Sequence, residues 1–156
     1  MPVNPKRLQV RDRVIALLTA ITAGASYFFT TVKVFPKTVL ETECPGYPCA
    51  SVHPDSGGEI AESTSNSYDE TFYLSVEGLV KDLDDPGAAV LKWNRDIRKA
   101  IDDDHRNGGA GSLATLAVLC EIREPPETDN GFFSGKGFGW FKQRIKFMVT
   151  GDIGDL

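Results

Sequence analysis

Apolar residues recur every three to four positions near the start of the chain. Val10, Val14, Leu17, Leu18 and Ile21 share one face at that spacing, with Arg7, Arg11, Asp12 and Arg13 mostly on the other. This predicts an amphipathic helix over residues 4–23. Asn4 is placed to cap it, Pro5 suits a first turn whose N–H has no helical partner, and Gly24 suits its end. The same period returns at Val90, Trp93, Ile97, Ala100 and Ile101, predicting a second helix over 87–104. Asp84-Asp85-Pro86 before it and Asn107-Gly108-Gly109 after it are start and stop signals.

Elsewhere the period is two. Thr30, Val32 and Val34 share a face in a predicted strand over 27–35, which Pro36 ends, and a short strand is expected over 49–53. Phe72, Leu74 and Val76 alternate with Tyr73, Ser75 and Glu77 in a strand over 68–81. Leu116, Val118, Cys120 and Ile122 predict a strand over 113–123. Phe141, Gln143, Ile145, Phe147 and Val149 alternate with Lys142, Arg144, Lys146 and Met148 over 140–151. The Ser- and Gly-rich stretch 54–67 and the stretch 127–139 read as flexible loops. Two helices cannot cover both faces of such a sheet. The expectation is therefore one α+β domain over 1–156, a mostly antiparallel sheet of about five strands with both helices on one face.

Composition narrows the function classes. At 156 residues and 17.0 kDa the chain can build a core without staples. Lys plus Arg is 17 and Asp plus Glu is 22, a net charge of −5, which argues against a protein whose task is to neutralise phosphates. Three cysteines, an odd number, argue against a disulfide-stapled secreted scaffold. The apolar stretch Val14–Ala23 is shorter than the roughly 20 residues that span a bilayer. Arg11, Asp12 and Arg13 before it, and Thr19 and Thr22 within it, do not suit a secretory signal. The protein is expected to act where it is made, or in a particle assembled there.

Candidate chemistry is sparse. Cys44, Cys49, His53 and His105 offer the N and S ligands that zinc takes, but Cys-x4-Cys is looser than a zinc knuckle and no second cysteine pair exists. A disulfide closing the Cys44–Cys49 loop and two plain thiols are the other readings. Cys120 lies in an apolar alternation and reads as a core residue. A nucleophile needs a base in reach, and the two histidines sit before a proline and at the end of a charged helix. There is no Gly-x-Ser-x-Gly, His-Glu-x-x-His or phosphate-loop motif. Asp82-Leu83-Asp84-Asp85 and Asp102-Asp103-Asp104 lack calcium-loop spacing and read as a solvated turn and a helix end. The aromatic and glycine stretch from Gly131 to Trp140 admits two readings. It is a contact loop that orders on assembly, or a hairpin loop whose phenylalanines tuck under the sheet. Lys142, Arg144 and Lys146 form a polar stripe too small to indicate nucleic acid.

The order of these features resembles the tail terminator (tail-completion, or minor tail) proteins of long-tailed bacteriophages. The resemblance is carried by the helix Arg11-Asp-Arg-Val-Ile-Ala-Leu-Leu-Thr-Ala-Ile21 and the Gly24-x-x-Tyr27 step. It continues through the Thr/Val strand to Phe35, the segment Tyr47-Pro-Cys-Ala-Ser-Val-His53 and the alternation from Phe72 to Val80. The helix from Leu91 to Ile101 and a closing strand pair complete it. The 54–67 segment and the Cys44–Cys49 tip have no counterpart in that pattern.

The resemblance implies a structural virion protein of the tail and neck, assembled in the host cytoplasm, with no enzymatic activity and no cofactor. It implies a homo-hexameric ring on the head-proximal end of the tail tube. Its partners would be copies of itself, the tail tube protein and the head–tail connector, with DNA only in passage and no membrane. On that expectation Phe132, Phe133, Phe138 and Trp140 contact neighbouring subunits or the tube. Asp82, Asp84 and Asp85, or Asp102, Asp103 and Asp104, face the lumen, where negative charge repels phosphate. The alternatives are another neck component such as a head-completion or stopper protein, a small zinc-binding regulator or enzyme using Cys44, Cys49 and His53, and a monomeric α+β binding module.

Overall fold

The computed structural model describes residues 4–38, 41–64, 66–122, 124–129 and 136–152. Two long alternating segments form its centre. Strand β3 (Ser67–Lys81) and strand β6 (Phe138–Asp152) pair antiparallel over their whole length, from Ser67 opposite Asp152 to Lys81 opposite Phe138. The register puts Phe72, Leu74 and Val76 on the same face as Phe147, Ile145 and Gln143, and the Phe72 and Phe147 rings stack 5.6 Å apart. Strand β2 (Cys49–Thr64) pairs antiparallel with the other edge of β3, and β1 (Lys33–Phe35) pairs parallel with the start of β2. Strands β4 (Leu119–Glu121) and β5 (Glu127–Asp129) both pair with β6. The sheet order is β1-β2-β3-β6-β4, with β5 also on β6.

Among the described residues three α-helices cover one face of this sheet. Helix α1 is Lys6–Thr19, α2 is Pro86–Asn107 and α3 is Leu113–Leu116. Val10, Val14 and Leu18 of α1 and Val90, Trp93, Ile97 and Ile101 of α2 join Phe72, Val76, Phe141, Ile145 and Phe147 in one buried core. Trp93 is fully buried and its Nε1 donates to the Cys49 carbonyl, 3.1 Å, so its polar edge is satisfied inside the core. The start of α2 is fixed by two carboxylates: Asp85 accepts from the Ala88 amide, and Asp82 accepts from the amides of Asp84 and Asp85. Among the described residues no helix is long and apolar enough to cross a membrane.

The fold is α+β as expected, but several boundaries differ. Among the described residues the sheet has six strands rather than about five, and α3 is a third α-helix. Helix α1 begins at Lys6 and ends at Thr19, with no side-chain cap from Asn4 and with Ala20 rather than Gly24 closing it. Only Lys33–Phe35 of the expected 27–35 strand pairs. Upstream, the amides of Phe28 and Phe29 are taken by the Asp96 carboxylate, so they are unavailable to a ladder. Residues 54–64 are not a loop. β2 runs through them and absorbs its extra residues as a bulge between Asp55 and Glu59, where Gly57 and Gly58 take φ of +98° and +100°. The expected strand over 113–123 is split into α3 and β4, and Val118, expected on one side with Leu116, Cys120 and Ile122, is 63% exposed. Cys120 is partly buried and packs against the core, in keeping with its expected role.

Candidate functional site

The sheet face opposite the helices carries a polar cluster that the antiparallel register assembles. Asp55, Tyr73 and Lys146 lie in one row across β2, β3 and β6; His53, Ser75 and Arg144 lie in the next; Ser51, Glu77 and Lys142 in the third. Ser75 is fully buried and its hydroxyl donates to Asp55 Oδ2 at 2.5 Å. That bond, with the Ser56 amide and the nearby Lys142 and Arg144 charges, outweighs burial and holds the Asp55 carboxyl below the ordinary carboxylate range. The Arg144 guanidinium stacks on the Tyr73 ring at 3.7 Å, donates to the Ser56 carbonyl at 2.7 Å, and lies 3.6 Å from Asp55. His53 Nε2 is buried without a hydrogen-bond partner among the described residues, 3.6 Å from Glu77.

A cleft of about 230 Å³ opens beside this cluster, between Asp55, Lys142 and Arg144 and the Glu124–Glu127 segment. Lys142 and Arg144 are paired with Asp55 and Glu124, and the Ser75 hydroxyl is committed to Asp55 and shielded from solvent. The arrangement cross-links three strands; it presents no accessible nucleophile with a base beside it.

A second set of features lies at the sheet edges. No described strand pairs with the outer edge of β2 beyond Ser51, or with the outer edge of β4. Pro54, which lacks an N–H, and the bulge at 56–58 interrupt the β2 edge, and the regular edge resumes at Glu59. Ile60 on that stretch is 58% exposed. At the opposite side of the sheet, α2 and the β4 segment border a groove of about 790 Å³. Its apolar surface comes from Leu91, Cys120 and Ile122, and its rim is of mixed charge, with Arg95, Arg98, Lys99 and Arg106 beside Asp102, Asp103 and Glu121. Two of the α2 charge pairs are internal, Lys99–Asp103 at 2.5 Å and Arg106–Asp102 at 3.0 Å. Arg95 is held by the Ser26 carbonyl and Asp96. Arg98 makes no ion pair among the described residues.

The residues expected to form a site disperse. Phe132 and Phe133 lie outside the described residues. Phe138 is not a loop residue but the first residue of β6, which begins two residues before the expected strand and includes Trp140. Phe138 meets Tyr47 edge-on at 5.2 Å, with Lys81 over its ring. The two acidic runs sit at opposite ends of α2, separated by about 30 Å at 1.5 Å per residue, so they form no common patch. Asp82 and Asp85 cap backbone amides, and Asp84 is exposed. Asp104 turns inward, its side chain 8% exposed, and pairs with Arg13 at 2.6 Å while accepting from the Leu113 amide. It is a tie between α1, α2 and α3, not a lumen charge.

The zinc set does not assemble. Cys49 and His53 are four residues apart on one strand, about 13 Å, too far to share an ion. Among the described residues no group of three His, Cys, Asp or Glu side chains converges. Cys44, Cys49 and Cys120 form no disulfide; burial pushes the Cys49 thiol up and the Cys120 thiol up to about 12.

Two features escape a linear reading. The polar rows on the open face become visible only when the Tyr73-Ser75-Glu77 stripe is paired with the Lys142-Arg144-Lys146 stripe. Asp96 reads as an outward charge on a helix, yet it is fully buried and binds a loop. Compared with known protein families and with curated proteins, the chain matches none of them.

Proposed function

We propose that this protein is a structural subunit that assembles head to tail into a ring and caps the head-proximal end of a phage tail tube. The observation that carries the reading is at the two ends of the sheet, where no described strand pairs with the outer edge of β2 beyond the bulge or with the outer edge of β4. Unpaired edge N–H and C=O groups are templates for another strand. Edges on two different surfaces of one subunit give a heterologous contact, and a heterologous contact repeated until it closes is a ring.

The edges are also level. Glu59, Thr71, Met148 and Leu119 form a single row from β2 across β3 and β6 to β4. Adjoining copies can thus continue one sheet without a large stagger. The open-face cluster supports the same role, because a charge-locked sheet is a rigid building block. The overall arrangement of elements, a leading helix, a long strand pair, a second helix and a closing strand, is the pattern on which the resemblance to tail terminators rests. In such a ring Asp84, Asp102 and Asp103 are the acidic residues left to line a DNA channel; Asp104 is not.

The test is twofold. Purified protein should give a particle near six times 17.0 kDa by light scattering. Added to polymerising tail tubes, it should bind tube ends and limit tube length. A protein that binds the portal side of the neck and leaves tube length unchanged is instead a head-completion or stopper protein. A monomer that does neither is a binding module of another kind.

A further inference from the structure

The connection from β1 to β2 ends in Cys44-Pro45-Gly46-Tyr47-Pro48-Cys49. This segment folds back on itself. The thiol of Cys49, the first residue of β2, donates to the Gly46 carbonyl at 2.7 Å, and the Cys44 thiol hydrogen-bonds to the Cys49 sulfur. The two sulfurs are therefore in contact, although no disulfide joins them.

The surroundings hold this arrangement. Tyr47 meets Phe138 at 5.2 Å, and the Pro48 carbonyl accepts from the Val32 amide at 3.0 Å. Cys49 is fixed on both sides within the sheet, opposite Lys33 and Leu79, and its carbonyl accepts from Trp93 Nε1. Pro45 and Pro48 narrow the conformations open to the loop, so closing it costs less chain entropy.

We propose that Cys44 and Cys49 are a redox modification site, a dithiol that a small-molecule disulfide such as oxidised glutathione converts to an intrachain disulfide clasping the β1–β2 connection to the sheet. The inference concerns the single chain and does not rest on the ring reading. Exposure sets the order of events: Cys44 is partly exposed and Cys49 is fully buried. The Cys44 thiolate attacks one sulfur of the small disulfide and expels a small thiolate, which leaves a mixed disulfide on Cys44. The Cys49 thiolate then attacks the Cys44 sulfur and expels the second. Two protein thiols are oxidised, one small disulfide is reduced, and the two protons end on the two small thiols released. Burial raises the Cys49 thiol, while Cys44 and the nearby Lys33 charge favour its thiolate less strongly. Cys49 is thus shielded from external reagents, and the mixed disulfide forms directly beside it. Cys120 lies on β4, separated from β2 by two strands, with its thiol pushed up to about 12, and takes no part.

The experiment equilibrates the full chain with graded ratios of reduced to oxidised glutathione, folded in buffer and unfolded in urea. Acid quenching, thiol counting and peptide mapping follow. The folded chain should pass from three thiols to one, with the bond mapped to Cys44 and Cys49. Its equilibrium constant should be at least tenfold larger than that of the unfolded chain, because the fold already brings the sulfurs together. Cys120→Ser should leave that constant unchanged, and Cys49→Ala should stop with glutathione on Cys44. A folded constant no larger than the unfolded one overturns the inference. So does a bond that maps to Cys120 or joins two chains, or a wild-type chain that keeps glutathione on Cys44. The folded-to-unfolded comparison uses the wild-type chain, so it decides the matter even where a cysteine variant fails to fold.

Discussion

The carboxylate of Asp96 is fully buried on α2, yet it is not idle: it accepts from the amides of Phe28 and Phe29 at 2.8 and 3.0 Å, and Arg95 lies against its other oxygen. It replaces, for Phe28 and Phe29, the backbone partners that a strand would have supplied. Asp96→Ala strands two amides beside the core and should cost about 2–4 kcal/mol in chemical denaturation. A loss near zero would mean that solvent or other groups readily replace the carboxylate. The Arg13–Asp104 pair acts at the same scale. Burial pushes Asp104 upward, but hydrogen bonds from Arg13 and the Leu113 amide outweigh it and hold the carboxyl below its ordinary value. The unfolded chain therefore binds that proton at higher pH than the folded one. The pair's stabilisation is fully present above the ordinary carboxylate value of about 4 and drains away as pH falls through the lower folded value. Asp104→Asn should lower stability near neutrality, with the difference from wild type shrinking as the solution is acidified below about pH 4. A difference that stays constant with pH would contradict this account.

At the scale of elements, strong periodicity was legible and interruptions were not. The alternations from Phe72 to Val76 and from Phe141 to Val149 placed the central strand pair, because both are long and have one covered face. Pro54 and Gly57-Gly58 signal a turn, and the same residues serve a bulge on an edge strand, where a missing N–H and positive φ are tolerated. Local sequence cannot separate those cases; the pairing with β3 does. The run Leu116 to Ile122 failed differently: alternation persists there, although only Leu116, Cys120 and Ile122 pack on the core and Val118 points out. Gly78 shows how closely β3 fits its cover. A side chain there would run into the Phe141 ring and Trp93. Gly78→Val should destabilise the protein by about 1–3 kcal/mol as the α2–sheet contact is forced apart. A melting temperature equal to wild type would show that Trp93 and Phe141 can repack.

For the whole molecule, the relevant facts are distribution and edges. The absence of basic residues from 38 to 80 is visible in the sequence, as is the basic cluster at 92–99. That the helix bearing the second packs over the paired β3 and β6 is not, since it depends on the order in which the strands pair. The candidate site was therefore only half legible: the acidic runs and aromatic residues drew notice by composition, while the edges and the groove follow from topology. The acidic runs separate to the two ends of α2, and the sheet edges that no described strand covers are the features on which the proposed assembly rests. The measurement that bears most directly on this account is the mass of the purified protein by light scattering, with negative-stain images of the same sample, free and added to tail tubes. The account predicts a closed ring near six times 17.0 kDa, in solution or seated on tube ends. Monomers in solution together with bare, uncapped tube ends would contradict it.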